Sequence, residues 1–224
     1  MTSDFKTFSE IFPEGLKGII YDCDGVMIDS EEANRAFYNI ILHSLDLPSI
    51  TREQEEYAFM ATAKEALEAI LPASLHSRID ELIKNNVNYN QDVLPKIRLM
   101  PGFENFIKTC NDLHILQAID TNRTDMGINA VLEFFDIVRY FNPVISSSHT
   151  KPKPDPAGVM TICTKWHTEP SQVLFIGDSM NDRQTAKNAG AIFCAFGDKG
   201  LKGDLETASF SQLGENLFPF IKSW

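Results

Sequence analysis

Short apolar runs recur along the chain, with amphipathic stretches between them. GIIYD (18–22), HILQAID (114–120), PVISS (143–147), QVLFIGD (172–178) and AIFCAF (191–196) read as strands. Their apolarity is nearly continuous instead of alternating, which predicts strands covered on both faces, as in a parallel sheet. The intervening segments have helical spacing. In PGFENFIKTCNDL, Phe103, Phe106, Ile107 and Cys110 fall on one side. In DPAGVMTICTKW, Asp155 is placed to cap, Pro156 suits the first helical position, and Val159, Ile162 and Trp166 share a face. SMNDRQTAKNAG stops at Gly190, a natural C-terminal cap. Strand alternating with helix predicts an α/β fold built on a doubly wound, Rossmann-like parallel sheet.

Residues 31–98 break that rhythm. EEANRAFYNIILHSLDL puts Ala33, Ala36, Phe37, Ile40 and Ile41 on one stripe, and TAKEALEAIL and SLHSRIDELIKNNV are also helical in pattern. Nothing between them reads as a strand. The expectation is an all-α helical cap domain over 31–98, inserted into a core made of 1–30 and 99–224, with linkers near Asp29-Ser30 and Leu99-Pro101.

Composition narrows the function classes. A chain of 224 residues with 43% hydrophobic positions can bury a substantial core. The formal charge of -11, with no compensating basic block, argues against a nucleic-acid binder. A small anionic substrate stays compatible if a metal and a few cations reverse the field locally. No window approaches the ~18 apolar residues of a membrane span, and MTSDFKTFSEIFPEG lacks the basic and apolar regions of a secretory signal. Cys23, Cys110, Cys163 and Cys194 are far apart with no CxxC, so a reducing cytoplasm is expected. The histidines show no zinc-binding spacing. Nothing specifies an oligomer, and a monomer is the default.

In open parallel sheets, ligands bind beyond the carboxyl ends of the strands. The first strand ends in Asp22 and Asp24, the second in Thr121-Asn122, and the fourth in Gly177-Asp178, with Asp182 four residues later. Lys151 of KPKPDP follows the third. Taken singly these are a turn, a loop hydroxyl, a helix cap and a surface charge. Gathered at one sheet edge, the carboxylates repel each other without a cation, and hard oxygen donors of this kind suit Mg²⁺. One carboxylate can then attack phosphorus, and a second can carry a proton to the leaving oxygen. A hydroxyl and an ammonium would hold the remaining phosphoryl oxygens.

These residues resemble the haloacid dehalogenase (HAD) superfamily, in particular phosphatases with a helical cap inserted after the first strand. DCDGV is similar to the family's DxDGx motif, DTN supplies the Thr of its second, Lys151 in KPKP the lysine of its third, and GDSMND resembles GDxxxD. The resemblance covers nearly the whole chain, in the family's order. It implies that Asp22 is a nucleophile and Asp24 a general acid/base. Mg²⁺ would be bound by Asp22, the main-chain carbonyl of Asp24, and Asp178. Asp182 would support the metal site or Lys151. Thr121 and Lys151 would contact the phosphoryl group, assisted by backbone amides around Gly25 and Asn122. Cys23 is expected in the core, Asp120 as an exposed strand-end carboxylate, and Arg123 as a surface arginine.

The activity implied is a Mg²⁺-dependent phosphatase on a small phosphomonoester, similar to phosphoglycolate phosphatases, acting through an aspartyl-phosphate. Dehalogenase chemistry needs neither Asp24 nor Asp178. Phosphosugar mutases of the β-phosphoglucomutase type have a histidine twelve residues after the nucleophile, where this chain has Asn34. A phospho-accepting receiver domain places its acids before the nucleophile in a chain about half as long. An esterase using Ser179 would need a late histidine, and none follows His167.

Overall fold

The computed structural model describes residues 7–197 and 200–222, so the first six residues of the expected core segment lie outside them. After α1 (Phe8–Ile11) come β1 (Gly18–Tyr21) and β2 (Ile28–Asp29), then α2 (Glu31–His43), α3 (Arg52–Met60), α4 (Ala63–Ile70) and α5 (Ile79–Asn86). There follow β3 (Arg98–Leu99), α6 (Phe103–Asp112), β4 (Leu116–Asp120), α7 (Asp125–Phe134) and β5 (Val144–Ile145). The chain continues with α8 (Ala157–Trp166), β6 (Val173–Gly177), α9 (Met180–Ala189), β7 (Ile192–Phe196), β8 (Leu205–Thr207) and α10 (Phe210–Lys222).

Six strands form one parallel sheet in the order β5-β4-β1-β6-β7-β8. The fold is a doubly wound, Rossmann-like α/β sheet, and the strand order reverses at β1. β4 and β6 flank that strand, with Tyr21 level with both Ile119 and Ile176. The residues that leave β1, β4 and β6 therefore emerge side by side. Alternate strand residues bury into opposite layers. Ile19, Tyr21, Ile119 and Leu174 join an apolar cluster with side chains from α6, α7 and α10, whereas Ile20, Ala118 and Phe175 join another with α8 and α9. Phe103 anchors the first layer, lying edge-on to Tyr21 at 5.6 Å and beside Phe210 at 5.0 Å. The buried Tyr21 hydroxyl donates to Gln117 Oε1 (2.8 Å), and Gln117 Nε2 donates to the Ile107 carbonyl (3.0 Å), so these polar groups keep partners.

The helices between β2 and β3 bury a cluster of their own, including Tyr38, Ile41, Leu67, Ile79 and Leu82. Thr51 and Thr62 cap α3 and α4 reciprocally with Gln54 and Glu65. The buried face of α2 is rotated from the expected stripe. Tyr38 and Leu42 are buried with Ala33 and Ile41, while Ala36, Phe37 and Ile40 are only half-buried. Phe37 instead faces a cavity between these helices and the sheet.

α8 begins one residue later than expected: Pro156 stands at its N-cap instead of its first helical position, and Asp155, before the cap, accepts from Ala157 N at 3.0 Å. Gly190 closes α9 with φ +79°. The apolar pattern did not reveal β2 and β3, an antiparallel pair across the two linkers with Ile28 opposite Leu99, because each is two residues long. β8 and α10 also lay outside the pattern-based assignment.

Replacing Phe103 by alanine is expected to cost about 3–5 kcal/mol, as for other fully buried aromatics. Urea unfolding measures this, and a loss below about 1 kcal/mol would show that Phe103 does not anchor that layer.

Candidate active site

Asp22 follows β1 directly, and its N–H donates to the Ile176 carbonyl (2.9 Å), which continues the parallel ladder. Its carboxylate Oδ1 accepts from Cys23 N (2.7 Å) and stands 2.6 Å from Lys153 Nζ. Lys153 Nζ also donates to Asp182 Oδ1 at 2.6 Å. The other Asp182 oxygen accepts from Ser179 N (3.0 Å) and Ser179 Oγ (2.5 Å), in a capping box that starts α9. Asp178 completes the group: oxygens of Asp22, Asp178 and Asp182 all lie within 4.8 Å of one another, and all three residues are buried.

Two glycines allow this crowding. Gly25 has φ +76°, and a methyl group there would fall 2.0 Å from Asp178 Oδ2. A methyl on Gly177 would fall 2.3 Å from Asp182 Cβ.

Burial pushes the Asp22 carboxyl well above the usual carboxylate range. Asp182 adds to the shift, Lys153 offsets part of it, and Asp178 raises it again. For Lys153, burial alone would lower the pKa, but Asp182, Asp22 and Asp120 outweigh it and keep the ammonium charged. Three buried carboxyl groups beside one ammonium form an all-oxygen donor set. Those residues fit a hard divalent cation such as Mg²⁺.

The lysine in this site is Lys153, not the expected Lys151. Lys151 has a side chain 81% exposed, with Asp155 3.8 Å away, whereas that of Lys153 is 4% exposed. The two are two residues apart in KPKP, each followed by proline, so local pattern does not distinguish them. Asn122 does: its Oδ1 accepts from Lys153 N (2.8 Å) and its Nδ2 donates to the Lys153 carbonyl (3.4 Å), which turns that lysine inward.

Gly25 also departs from expectation. Its N–H is spent on the Ile28 carbonyl (2.8 Å) and is not available to a phosphoryl oxygen. Its place is instead that of a clearance for Asp178. The Asn122 side chain, besides holding Lys153, donates to the Met60 carbonyl (3.0 Å). Thr121 is buried and lines the cavity with Asp22, Asp24 and Lys153.

Arg123 is not a surface arginine. It grips Asp24 with two hydrogen bonds, Nε to Oδ2 (2.7 Å) and a terminal nitrogen to Oδ1 (2.6 Å), and also donates to the Tyr89 hydroxyl. Ser30 Oγ donates to Asp24 as well. Burial would raise the Asp24 pKa, but the charge and hydrogen bonds of Arg123, with Ser30, lower it overall. The carboxylate is thereby held in its charged form. The sequence carried no local signal for this pairing, since Asp24 and Arg123 are 99 positions apart.

Asp120 is 4% exposed, not the solvated strand end expected. It packs against the first turn of α8, where a methyl on Gly158 would fall 2.2 Å from Asp120 Oδ1. Its Oδ2 finds no partner among the described residues. Cys23, by contrast, is buried in the core as expected.

The chain belongs to the haloacid dehalogenase-like hydrolase family, whose model matches residues 19–196. It is similar to a phosphoglycolate phosphatase of Nitrosospira multiformis, 25% identical over 82% of this chain and 84% of that one. A HAD-superfamily hydrolase of subfamily IA, variant 1, from Geobacter sulfurreducens superposes with a TM-score of 0.78 at 28% identity, covering 91% of this chain and all of the other. A predicted phosphoglycolate phosphatase from Haemophilus somnus shares the fold, with a TM-score of 0.76 at 20% identity over 89% of this chain and 97% of the other. The chain is a hydrolase of this family, and its relatives mark it as a phosphatase. No helix among the described residues is long and apolar enough to cross a membrane.

Burial raises the Asp120 pKa from an ordinary 3.8 to about 6, with Lys153 offsetting part of the rise. Because the folded value is the higher one, protonation favours the folded state. That stabilisation is complete below pH 3.8 and is lost as pH rises through about 6. Asp120→Asn removes the titration. The stability of the variant relative to the parent is expected to be more favourable at pH 7.5 than at pH 5 by about 1–2 kcal/mol. Thermal unfolding of both proteins at the two pH values tests this, and a pH-independent difference would contradict it.

Proposed function

We propose that the protein is a Mg²⁺-dependent phosphatase of a small phosphomonoester, acting through a phosphorylated Asp22 in a reducing, cytoplasmic setting. The observation that carries this reading is the shared ammonium: Lys153 lies 2.6 Å from both Asp22 and Asp182, beside Asp178 and facing the same cavity as Thr121.

Both polar contacts that the Asp22 carboxylate makes among the described residues, with Cys23 N and Lys153 Nζ, fall on Oδ1. Its Oδ2 is therefore the atom to attack phosphorus, forming an O–P bond as the ester O–P bond breaks. Lys153 and the Thr121 hydroxyl bind the equatorial phosphoryl oxygens. Asp22, Asp178 and the Asp24 carbonyl would hold Mg²⁺, which when bound supplies charge neutralisation for the incoming phosphoryl group. Asp182 keeps Lys153 in place.

Asp24 carries the proton in both halves of the reaction. As held by Arg123 it is charged, the form that takes a proton from water during hydrolysis of phospho-Asp22. Protonating the leaving oxygen in the first half needs the neutral acid, so its pairing with Arg123 must loosen when substrate enters. Arg123 also touches Tyr89, which lies between α5 and β3, and movement of the helical segment over the cavity supplies that release. We assign residues 31–98 as the cap that closes over the site and excludes water. A small phosphomonoester, as in the names of the curated relatives, is the substrate class this chemistry serves. A mutase reading is disfavoured by Asn34, which lines the cavity and donates to Ser30 Oγ (3.4 Å) where proton control would need a titratable group.

Phosphate release from small phosphoryl compounds, with Mg²⁺ and with chelator, tests the assignment. Asp22→Asn is expected to abolish turnover without loss of fold, and near-normal turnover by that variant would overturn the nucleophile. Lys153→Met is expected to lose about 10²–10³-fold in kcat. Lys151→Met should stay within about twofold of the parent, as an exposed substitution. The opposite ranking would return the role to Lys151.

A further inference from the structure

A cavity of about 1040 Å³ opens directly onto Asp22, Thr121 and Lys153, between the sheet edge and the helical segment. Pockets for drug-sized ligands span roughly 300–1,000 Å³, so a two-carbon leaving group would leave most of this one unfilled. Phe37, Tyr38, Phe59, Ile83, Val87 and Met126 supply apolar and aromatic walls. Asn85, Asn88 and Asn90 add neutral carboxamides, which both donate to and accept from hydroxyl groups.

Two of the three cations that line the cavity among the described residues are paired. Among its described cations, Arg123 is held by Asp24, and Lys153 by Asp22 and Asp182. The third, Lys84, is exposed and shares the wall with Asp80 and Asp92. Away from the phosphoryl centre, two carboxylates therefore face one ammonium.

The Met60 carbonyl accepts from Asn122 Nδ2 (3.0 Å) and Asn181 Nδ2 (3.1 Å), and Met60 lines both this cavity and a neighbouring cleft. In that cleft Arg35, Arg52 and Lys202 are paired with Glu55, Glu56 and Glu206, and Arg183 is exposed on its wall.

Resting on the phosphatase reading, we infer that the leaving group of the substrate is a ring-bearing alcohol, a nucleoside or a sugar, larger than a two-carbon hydroxy acid. The aromatic wall takes the flat or apolar face of the ring, and the carboxamides take its hydroxyls. The chain thus departs in substrate from the relatives whose names specify phosphoglycolate.

The test compares kcat/KM of the full chain with Mg²⁺ for acetyl phosphate, phosphoglycolate, a hexose 6-phosphate and a nucleoside 5′-monophosphate. Acetyl phosphate needs only the phosphoryl site and serves as the reference. At least one ring ester is expected to exceed phosphoglycolate by about tenfold or more, and the better of the two distinguishes nucleoside from sugar. Phosphoglycolate matching or exceeding both, or turnover of acetyl phosphate alone, overturns the inference and leaves the phosphatase reading standing. No turnover of any compound overturns both. Met126→Arg, at a position 65% exposed, places a cation on the cavity wall and is expected to narrow the ring-ester preference several-fold. An unchanged ratio would place the leaving group outside this cavity and overturn the assignment.

Discussion

The site is organised around one buried ammonium. Taking Lys153 out of water is costly, and the cost is offset only if opposite charges meet it at hydrogen-bond distance with their remaining lone pairs satisfied. Asp22 and Asp182 do so at 2.6 Å each. Asp182 is in turn satisfied by Ser179, and Asn122 holds the Lys153 backbone. The clearances at Gly25 and Gly177 follow from the same demand, because three acids and a lysine can converge only where neighbouring residues lack a Cβ. The parallel sheet supplies the rigid frame, with its switch point at β1 placing the ends of β1, β4 and β6 side by side.

A second charged link joins the sheet edge to the helical segment. Asp24, Arg123 and Tyr89 form a chain in which one member belongs to the proposed chemistry and another to residues between β2 and β3. The Met60 carbonyl makes a second connection through Asn122 and Asn181. Asn122 takes part in both networks, holding the lysine loop and the end of α3 at once. Opening of the helical segment would thus be felt at the lysine and at the acid/base together, a physical route by which substrate entry can alter the protonation of Asp24.

Asp120 shows what such a cluster costs. It is buried against Gly158 of α8 with an oxygen that lacks a partner among the described residues, and burial outweighs the attraction of Lys153 in its titration. A neutral side chain at that position would avoid the penalty. Its carboxylate does add negative charge around Lys153 and helps to keep the ammonium charged.

Much of the molecule was legible in its sequence. The apolar runs ending in Asp22, Asp120 and Asp178 marked three adjacent strands, and strand periodicity is local enough to be read without coordinates. The DCDGV and GDSMND motifs placed the acids, since covalent spacing from a strand end determines where they emerge. The choice between Lys151 and Lys153 was not legible, because it depends on Asn122, which is distant in sequence. The pairing of Arg123 with Asp24, the burial of Asp120 and the rotation of α2 toward Tyr38 were hidden for the same reason. The sequence by itself determined the sheet, the order of its strands' acidic ends and the class of chemistry. Only the tertiary structure decided which charges meet, because ion pairing and burial depend on residues brought together across the fold, and no local pattern encodes them.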